Sequence, residues 1–210
     1  MTTTLDSDDA QRLRECIVTG GVAVFPTDTV YGVCCDPRDE TAAQRLYELK
    51  GRPPARPAAV MFFALEPALR ALGELTDTER RALQALLPGP VTLLIENRSG
   101  DFAAACRTDP ATLGLRVPSL PQGLRALTQI AEPVMQTSAN RSGEPDARTL
   151  AEVPSSLRDG ADLVLDGGAL HGTASTVIDL RTYEATGEWH VLREGALAVK
   201  AVGELLREAR

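Results

Sequence analysis

The sequence predicts one α/β domain built on a mixed sheet. Three observations carry this. Helical and strand patterns alternate along all 210 residues with no composition break, repeat or low-complexity linker. Several late strands follow one another too closely for a strict βαβ rhythm, which favours a mixed sheet over a purely parallel one. Apolar residues make up 43%, enough for a sizeable core, and aromatics only 4%, so that core is mostly Leu, Val and Ala.

The elements follow in order. Residues 7–19 read as a helix capped by Ser7, with Asp8 and Asp9 in the first turn, a stripe of Ala10, Leu13 and Ile17, and Gly20–Gly21 as the stop. VAVF (22–25) reads as a short buried strand halted by Pro26. Residues 40–50 form a second helix with Ala42, Leu46 and Leu49 on one face, and AAVMFFA (58–64) a strand. Thr76 and Glu79 make a capping box that opens a helix through Leu87. PGP (88–90) breaks that helix, and VTLLIE (91–96) is a strand. Further strands are expected at 113–117, 133–137, 163–166, 175–180 and 189–193, and helices near 121–131 and 196–209.

Charge and cysteine usage exclude several function classes. The net charge of −7 argues against a general nucleic-acid binder, which needs a broad basic surface. Cys16, Cys34, Cys35 and Cys106 form no C-x-x-C pair, and His171 and His190 have no metal-ligand spacing. Free thiols in a reducing compartment are expected, and a zinc site is not. The polar, acidic MTTTLDSDDA start is no signal peptide, and no apolar run approaches a membrane span. The reading is a cytoplasmic protein.

Six polar segments sit at strand ends, where α/β folds build their sites: PTDTVYG (26–32), KGRPPARP (50–57), LRVP (115–118), TSANRSG (137–143), ASTVIDL (174–180) and VLREG (191–195). Each also has a plain structural reading. PTDTVYG and TSANRSG are good turn sequences, and Thr is a common strand residue. Arg116 interrupts an apolar run and so faces a partner. The segment hardest to dismiss is KGRPPARP. Pro53, Pro54 and Pro57 stiffen it, and no acid lies between residues 49 and 65 to balance Lys50, Arg52 and Arg56. Uncompensated cations on a stiff loop point to an anionic ligand.

The usual catalytic signatures are missing. There is no G-x-S-x-G, no G-x-x-x-x-G-K-[ST], and no G-x-G-x-x-G after a strand. A set of cations, hydroxyls and amides remains. It suits phosphoryl or nucleotidyl transfer, which needs position and charge stabilisation above all.

PTDTVYG, the K-x-R loop with its following Pro, PGPVTLLI (88–95), LRVP, TSANRSG, STVIDL and LREG occur in one order. As an ordered set they resemble the YrdC-like family of threonylcarbamoyl-AMP synthases over nearly the whole chain. The resemblance implies an N-terminal segment at 1–14, a YrdC-like domain at 15–200 and a helix end at 201–210. It implies a twisted mixed sheet flanked by helices, with a concave cationic groove. The reaction it implies joins L-threonine, bicarbonate or CO2 and ATP into L-threonylcarbamoyladenylate, with release of pyrophosphate. Mg2+ accompanies ATP without a protein ligand. A separate tRNA threonylcarbamoyl-transferase complex is the downstream partner, with weak or no direct tRNA binding.

Carried onto this chain, the resemblance implies that Arg52 and Arg56 meet the ATP phosphates and Lys50 the phosphate or carbamate oxygens, Lys50 and Arg52 being the catalytic pair. Thr112, Ser138, Asn140, Asp146 and Arg193 would complete the nucleotide side. Thr29, Arg116, Gln136 and Ser175 would hold L-threonine, with Gln136 and Asp146 contributing backbone. Two departures stand out. Many longer relatives carry His where this chain has Met61, four residues after Pro57, and the chain stops soon after VLREGALAVKAV. Selectivity for threonine then has to come from other contacts, and the short form lacks the further C-terminal domain of longer relatives. Three alternatives stay open: a carbamoyl-adenylate-forming relative, a non-catalytic RNA-binding module, and a purely structural role.

Overall fold

The computed structural model describes residues 3–209. Residues 1, 2 and 210, at the outer ends of the segments expected at 1–14 and 201–210, lie outside the described residues. Helix α1 (Ser7–Val18) is capped by Asp6, not Ser7. The Asp6 carboxylate accepts from the backbone of Asp8 and Asp9, while Asp9 returns a bond to the Asp6 N–H. An ionised carboxylate at the positive helix end outcompetes a neutral hydroxyl for these donors.

Strands β1 (Ala23–Pro26) and β2 (Tyr31–Cys35) form an antiparallel hairpin. The second strand has no sequence-level counterpart, because all five of its residues are buried and it shows no alternation. Helix α2 (Glu40–Lys50) runs as expected and ends at Gly51, whose φ of 60° is the left-handed cap. Strand β3 (Ala59–Met61) is shorter than the apolar run around it, because the chain enters α3 (Leu65–Ala71), which tolerates Pro67 in its first turn. Helix α4 (Asp77–Leu86) starts on the Thr76–Glu79 box, and β4 (Val91–Glu96) follows.

A single turn, α5 (Ala103–Cys106), precedes β5 (Thr112–Arg116). The helix expected near 121–131 is a 3-10 helix, Gln122–Gln129, with no side-chain cap. Then come β6 (Val134–Ser138), α6 (Ser155–Gly160), β7 (Leu163–Val164), β8 (Thr176–Asp179), α7 (Tyr183–Thr186), β9 (His190–Arg193) and α8 (Val199–Glu208).

The strands form one mixed sheet in the order β7-β1-β2-β6-β3-β5-β4-β8-β9. Parallel pairing joins β1 to β7, β3 to β5 and β4 to β8, and the remaining neighbours are antiparallel. Flanking helices bury their apolar faces in one continuous core. Leu13 of α1, Leu46 of α2 and Leu206 of α8 all belong to it, together with Phe25, Leu93 and Leu115 of the sheet. The cysteines are free thiols, with Cys34, Cys35 and Cys106 buried. Among the described residues, no helix is long and apolar enough to cross a membrane.

Two features of this sheet place the site. The strands next to one another at its middle come from distant parts of the chain, so their ends bring remote segments together. The register also sets Met61 opposite both Arg116 and Val134, with Met61 fully buried. The departure at that position therefore lies in the core.

Candidate active site

The cationic loop leaves α2 with its geometry already constrained. The Tyr47 hydroxyl donates to the Arg56 carbonyl, and Arg52 donates to the carbonyls of Arg56 and Pro57. The Arg52 and Arg107 guanidinium carbons lie 5.8 and 4.4 Å from the Tyr47 ring centroid. These contacts and three prolines hold Arg52 and the exposed Arg56 at one rim of a cavity of about 690 Å³. Arg52 also reaches Thr137 Oγ1 at 3.4 Å, which ties the loop to the end of β6.

Lys50 is only 2% exposed. Its ammonium donates to the Ser138 carbonyl, to the Asn140 carbonyl at 2.9 Å and to Asn140 Oδ1 at 2.8 Å. Ser138 Oγ donates to the same Asn140 oxygen at 2.6 Å, so the KGRP and TSAN segments close into one network. Burial, then the Arg52 charge, pushes the Lys50 ammonium down to about 7, with Asp146 pulling the other way. The surrounding oxygens favour the charged form.

Across the groove, Arg116 donates through Nη2 to Asp28 Oδ1 at 2.8 Å and to Thr29 Oγ1 at 3.3 Å. The second Asp28 oxygen accepts from the Ser119 backbone at 3.0 Å. Burial pushes the Asp28 carboxyl up and the Arg116 guanidinium down, and their mutual attraction opposes both shifts. The Arg116 Nε is buried and has no hydrogen-bond partner among the described residues.

A third corner is built by β4, β8 and β9. Thr92 and Ser175 share a hydrogen bond of 2.8 Å, and Arg193 donates to the Ser175 carbonyl at 2.7 Å and to its Oγ at 3.2 Å. Between the corners the floor is low. Ala59 and Gly114 contribute almost no side chain there, and Leu94 and Val177 supply an apolar surface.

The groove gathers most of the residues singled out from the sequence. Lys50, Arg52 and Arg56 line it with Ser138, Asn140 and Asp146 on one side. Arg116, Gln136, Ser175, Arg193 and Thr112 line the rest. Thr112 uses its hydroxyl to accept from Arg181 at 3.0 Å. Gln136 stands in β6 with β2 and β3 on either side, so its backbone lies in the sheet ladder and its side chain is what borders the groove. Thr29 stands apart: it is fully buried behind Arg116 and does not reach the wall.

Several residues were missed. Asp28, inside PTDTVYG, is the counter-ion of Arg116. Thr92 is the polar residue in the buried half of VTLLIE, a signal that this side chain faces a site. Asp109 and Glu144 also line the groove, which is cation-rich but not free of acids.

These features define the class: an α/β domain whose mixed sheet collects cations, hydroxyls and amides around an open groove suited to an anionic ligand. Residues 15–195 match the Sua5/YciO/YrdC family, whose description reads "Telomere recombination", and the chain belongs to that family. It is 32% identical over 185 residues to the threonylcarbamoyl-AMP synthase of Chromohalobacter salexigens, covering 84% of this chain and 97% of that relative. It is 28% identical over 192 residues to the threonylcarbamoyl-AMP synthase of Pyrococcus abyssi, covering 91% of this chain and 55% of that relative, so it spans little more than half of the longer protein. The crystal structure of P. abyssi Sua5 complexed with L-threonine superposes with a TM-score of 0.81 at 26% identity, covering 96% of this chain and 58% of that one.

Proposed function

We propose that this chain is a threonylcarbamoyl-AMP synthase, joining L-threonine, bicarbonate or CO2, and ATP into L-threonylcarbamoyladenylate. The observation that carries the reading is the convergence of Lys50, Arg52, Arg56, Arg116, Ser138, Ser175 and Arg193 on one groove, in a family whose relatives bear that name. Further support comes from the fold shared with P. abyssi Sua5, a protein crystallised with L-threonine.

The chemistry follows from the charge layout. The threonine amine adds to the carbon of CO2 with loss of a proton, or to bicarbonate with loss of water, giving a carbamate. A carbamate oxygen attacks the α-phosphorus of ATP, a new P–O bond forms, and the bond to pyrophosphate breaks. The carbamate is already ionised, so no general base is needed for this attack. Negative charge grows on the departing pyrophosphate. Arg52 and Arg56, standing on their braced loop, stabilise that charge more than they stabilise bound ATP.

Each other residue has a positioning role in this reading. Lys50 acts from within the Ser138–Asn140 network and keeps that corner positive. Arg116 offers the free part of its fork to the threonine carboxylate while Asp28 and Thr29 hold the other part, so Thr29 serves the amino acid through Arg116. Gln136 and Ser175 border the same amino acid. Arg193, Thr112, Asn140 and Asp146 frame the nucleotide. ATP enters as its Mg2+ complex, and the metal travels with the substrate. The adenylate passes in the cytoplasm to a separate tRNA threonylcarbamoyl-transferase complex. A net charge of −7 disfavours tight direct binding to tRNA.

The test is pyrophosphate release by the purified chain. Release is expected only when L-threonine, bicarbonate and MgATP are all present. Equal release with carbamoyl phosphate in place of threonine and bicarbonate identifies a carbamoyl-adenylate-forming enzyme instead. Salt-sensitive RNA binding without adenylate formation identifies a binding module.

A further inference from the structure

Selection of an amino acid by its hydroxyl requires buried polar partners that are left unpaired when the hydroxyl is absent. Met61 cannot supply one, since it is apolar and fully buried in the core. The groove wall holds a better candidate. Thr92 is 9% exposed and Ser175 is 4% exposed, and their hydroxyls are 2.8 Å apart. Both line the groove.

Proton counting shows what this pair offers. Two hydroxyls carry two protons and four lone pairs. One proton is spent on the bond between them. Ser175 Oγ also accepts from Arg193 Nη2 at 3.2 Å, which uses a further lone pair. Among the described residues, neither hydroxyl makes another hydrogen bond. One donor and at least one acceptor site are therefore left over.

The sheet puts this pair where an amino-acid side chain belongs. Leu93 lies opposite Leu115, and continuing that antiparallel register by one residue brings Thr92 opposite Arg116. Thr92 thus stands between Arg116, the anchor for the carboxylate, and Ser175.

We infer that Thr92 is a specificity-determining residue of this site, forming with Ser175 a hydroxyl pair that reads the side-chain hydroxyl of the amino acid. This rests on the proposed amino-acid-activating function. The pair donates to and accepts from the hydroxyl of threonine. Valine puts a methyl group in that place and leaves the remaining donor unpaired.

The experiment compares the wild type, Thr92→Val and Thr92→Ser with L-threonine and L-valine, reading kcat/KM for pyrophosphate release and KM for ATP. Binding of each amino acid is read in parallel by thermal shift. Thr92→Val keeps the shape and strand propensity of Thr and deletes the hydroxyl. The threonine-over-valine ratio is expected to fall about tenfold in Thr92→Val, with KM for ATP unchanged and the ratio restored in Thr92→Ser. A ratio unchanged in Thr92→Val, or an equal loss on both amino acids, overturns the inference. A wild type that prefers threonine in binding but releases no pyrophosphate overturns the parent function, and the binding ratio of the variants still decides the role of Thr92. A wild type that binds threonine and valine alike overturns the inference itself.

Discussion

The Arg116 guanidinium and the Asp28 carboxylate form an ion pair of 2.8 Å in which each side chain is 4% exposed. An isolated charge at that depth is far more costly than the pair. Removing one partner of a buried pair typically costs about 3–5 kcal/mol. Asp28→Ala is expected to lower the unfolding free energy by that order, measured by urea titration. Asp28→Asn should lose less, because its amide oxygen still accepts from Arg116. A loss below about 1 kcal/mol for the alanine variant contradicts the assignment of Asp28 as a needed counter-ion.

Lys50 is expected to make ATP binding depend on pH with a definite sign. The folded-state ammonium titrates near 7, against an ordinary 10.5. Between those values the unfolded chain holds a proton that the folded chain has released. The stability contribution of Lys50 therefore rises with pH across that window, and the burial penalty is felt in full below it. A bound triphosphate favours the charged form, so ATP binding at pH 8 should take up protons. Calorimetry in two buffers of different ionisation enthalpy checks this. A binding heat independent of the buffer contradicts it, and Lys50→Met should abolish the uptake.

Arg52 presents a planar fork at the groove rim. A hydrogen bond to a charged group is worth roughly 1.5–3 kcal/mol. Arg52→Ala is thus expected to lower kcat/KM for ATP on the order of 10- to 100-fold, mostly through kcat, with an unchanged circular dichroism spectrum. Arg52→Lys should recover little of this, since an ammonium cannot replace the fork. Unaltered ATP kinetics in the alanine variant remove Arg52 from the site.

Gly114 keeps the floor of the groove low. A Cβ added there meets the Ala59 Cα at 3.5 Å and Leu94 Cδ2 at 3.7 Å, both ordinary contacts. Gly114→Ala should fold normally and gain about 0.4–1 kcal/mol from a less flexible unfolded chain. Gly114→Leu should fold but weaken ATP binding on the order of tenfold, about 1.4 kcal/mol, because its side chain occupies the open floor of the groove. Nucleotide titration of the two variants separates the effects. Full affinity in Gly114→Leu shows that no ligand passes over this floor.

Local chemistry made much of this molecule readable. The Thr76–Glu79 box, the Gly20–Gly21 stop and the apolar run of β4 each state their structure within a few residues. Strand β2 was not readable, because a uniformly buried five-residue strand carries no periodic signal. The helix expected near residues 121–131 is present as a tighter 3-10 helix, a choice tertiary packing decides more than pattern.

The site divides in the same way. Lys50 and Arg52 stood out as uncompensated cations on a proline-stiffened loop and Arg116 as a charge interrupting an apolar run, whereas Ser138 and Arg193 owe their roles to the resemblance of their segments to the family. The Asp28 counter-ion and the Thr92 hydroxyl did not stand out as partners, since their roles depend on sheet register across remote segments. Asp28 and Arg116 are 88 residues apart, and no local window contains both.

The position of β8 beside β4 has a consequence for the life of the chain on the ribosome. Thr92 and Ser175 are separated by 83 residues, so the outer side of β4 has no neighbour while that intervening stretch is made. At usual elongation rates this lasts roughly 4–17 seconds. Throughout that interval a hydrophobic ribbon with open N–H and C=O groups is available to any other nascent polypeptide. A holdase bound during synthesis would cover that edge until β8 arrives.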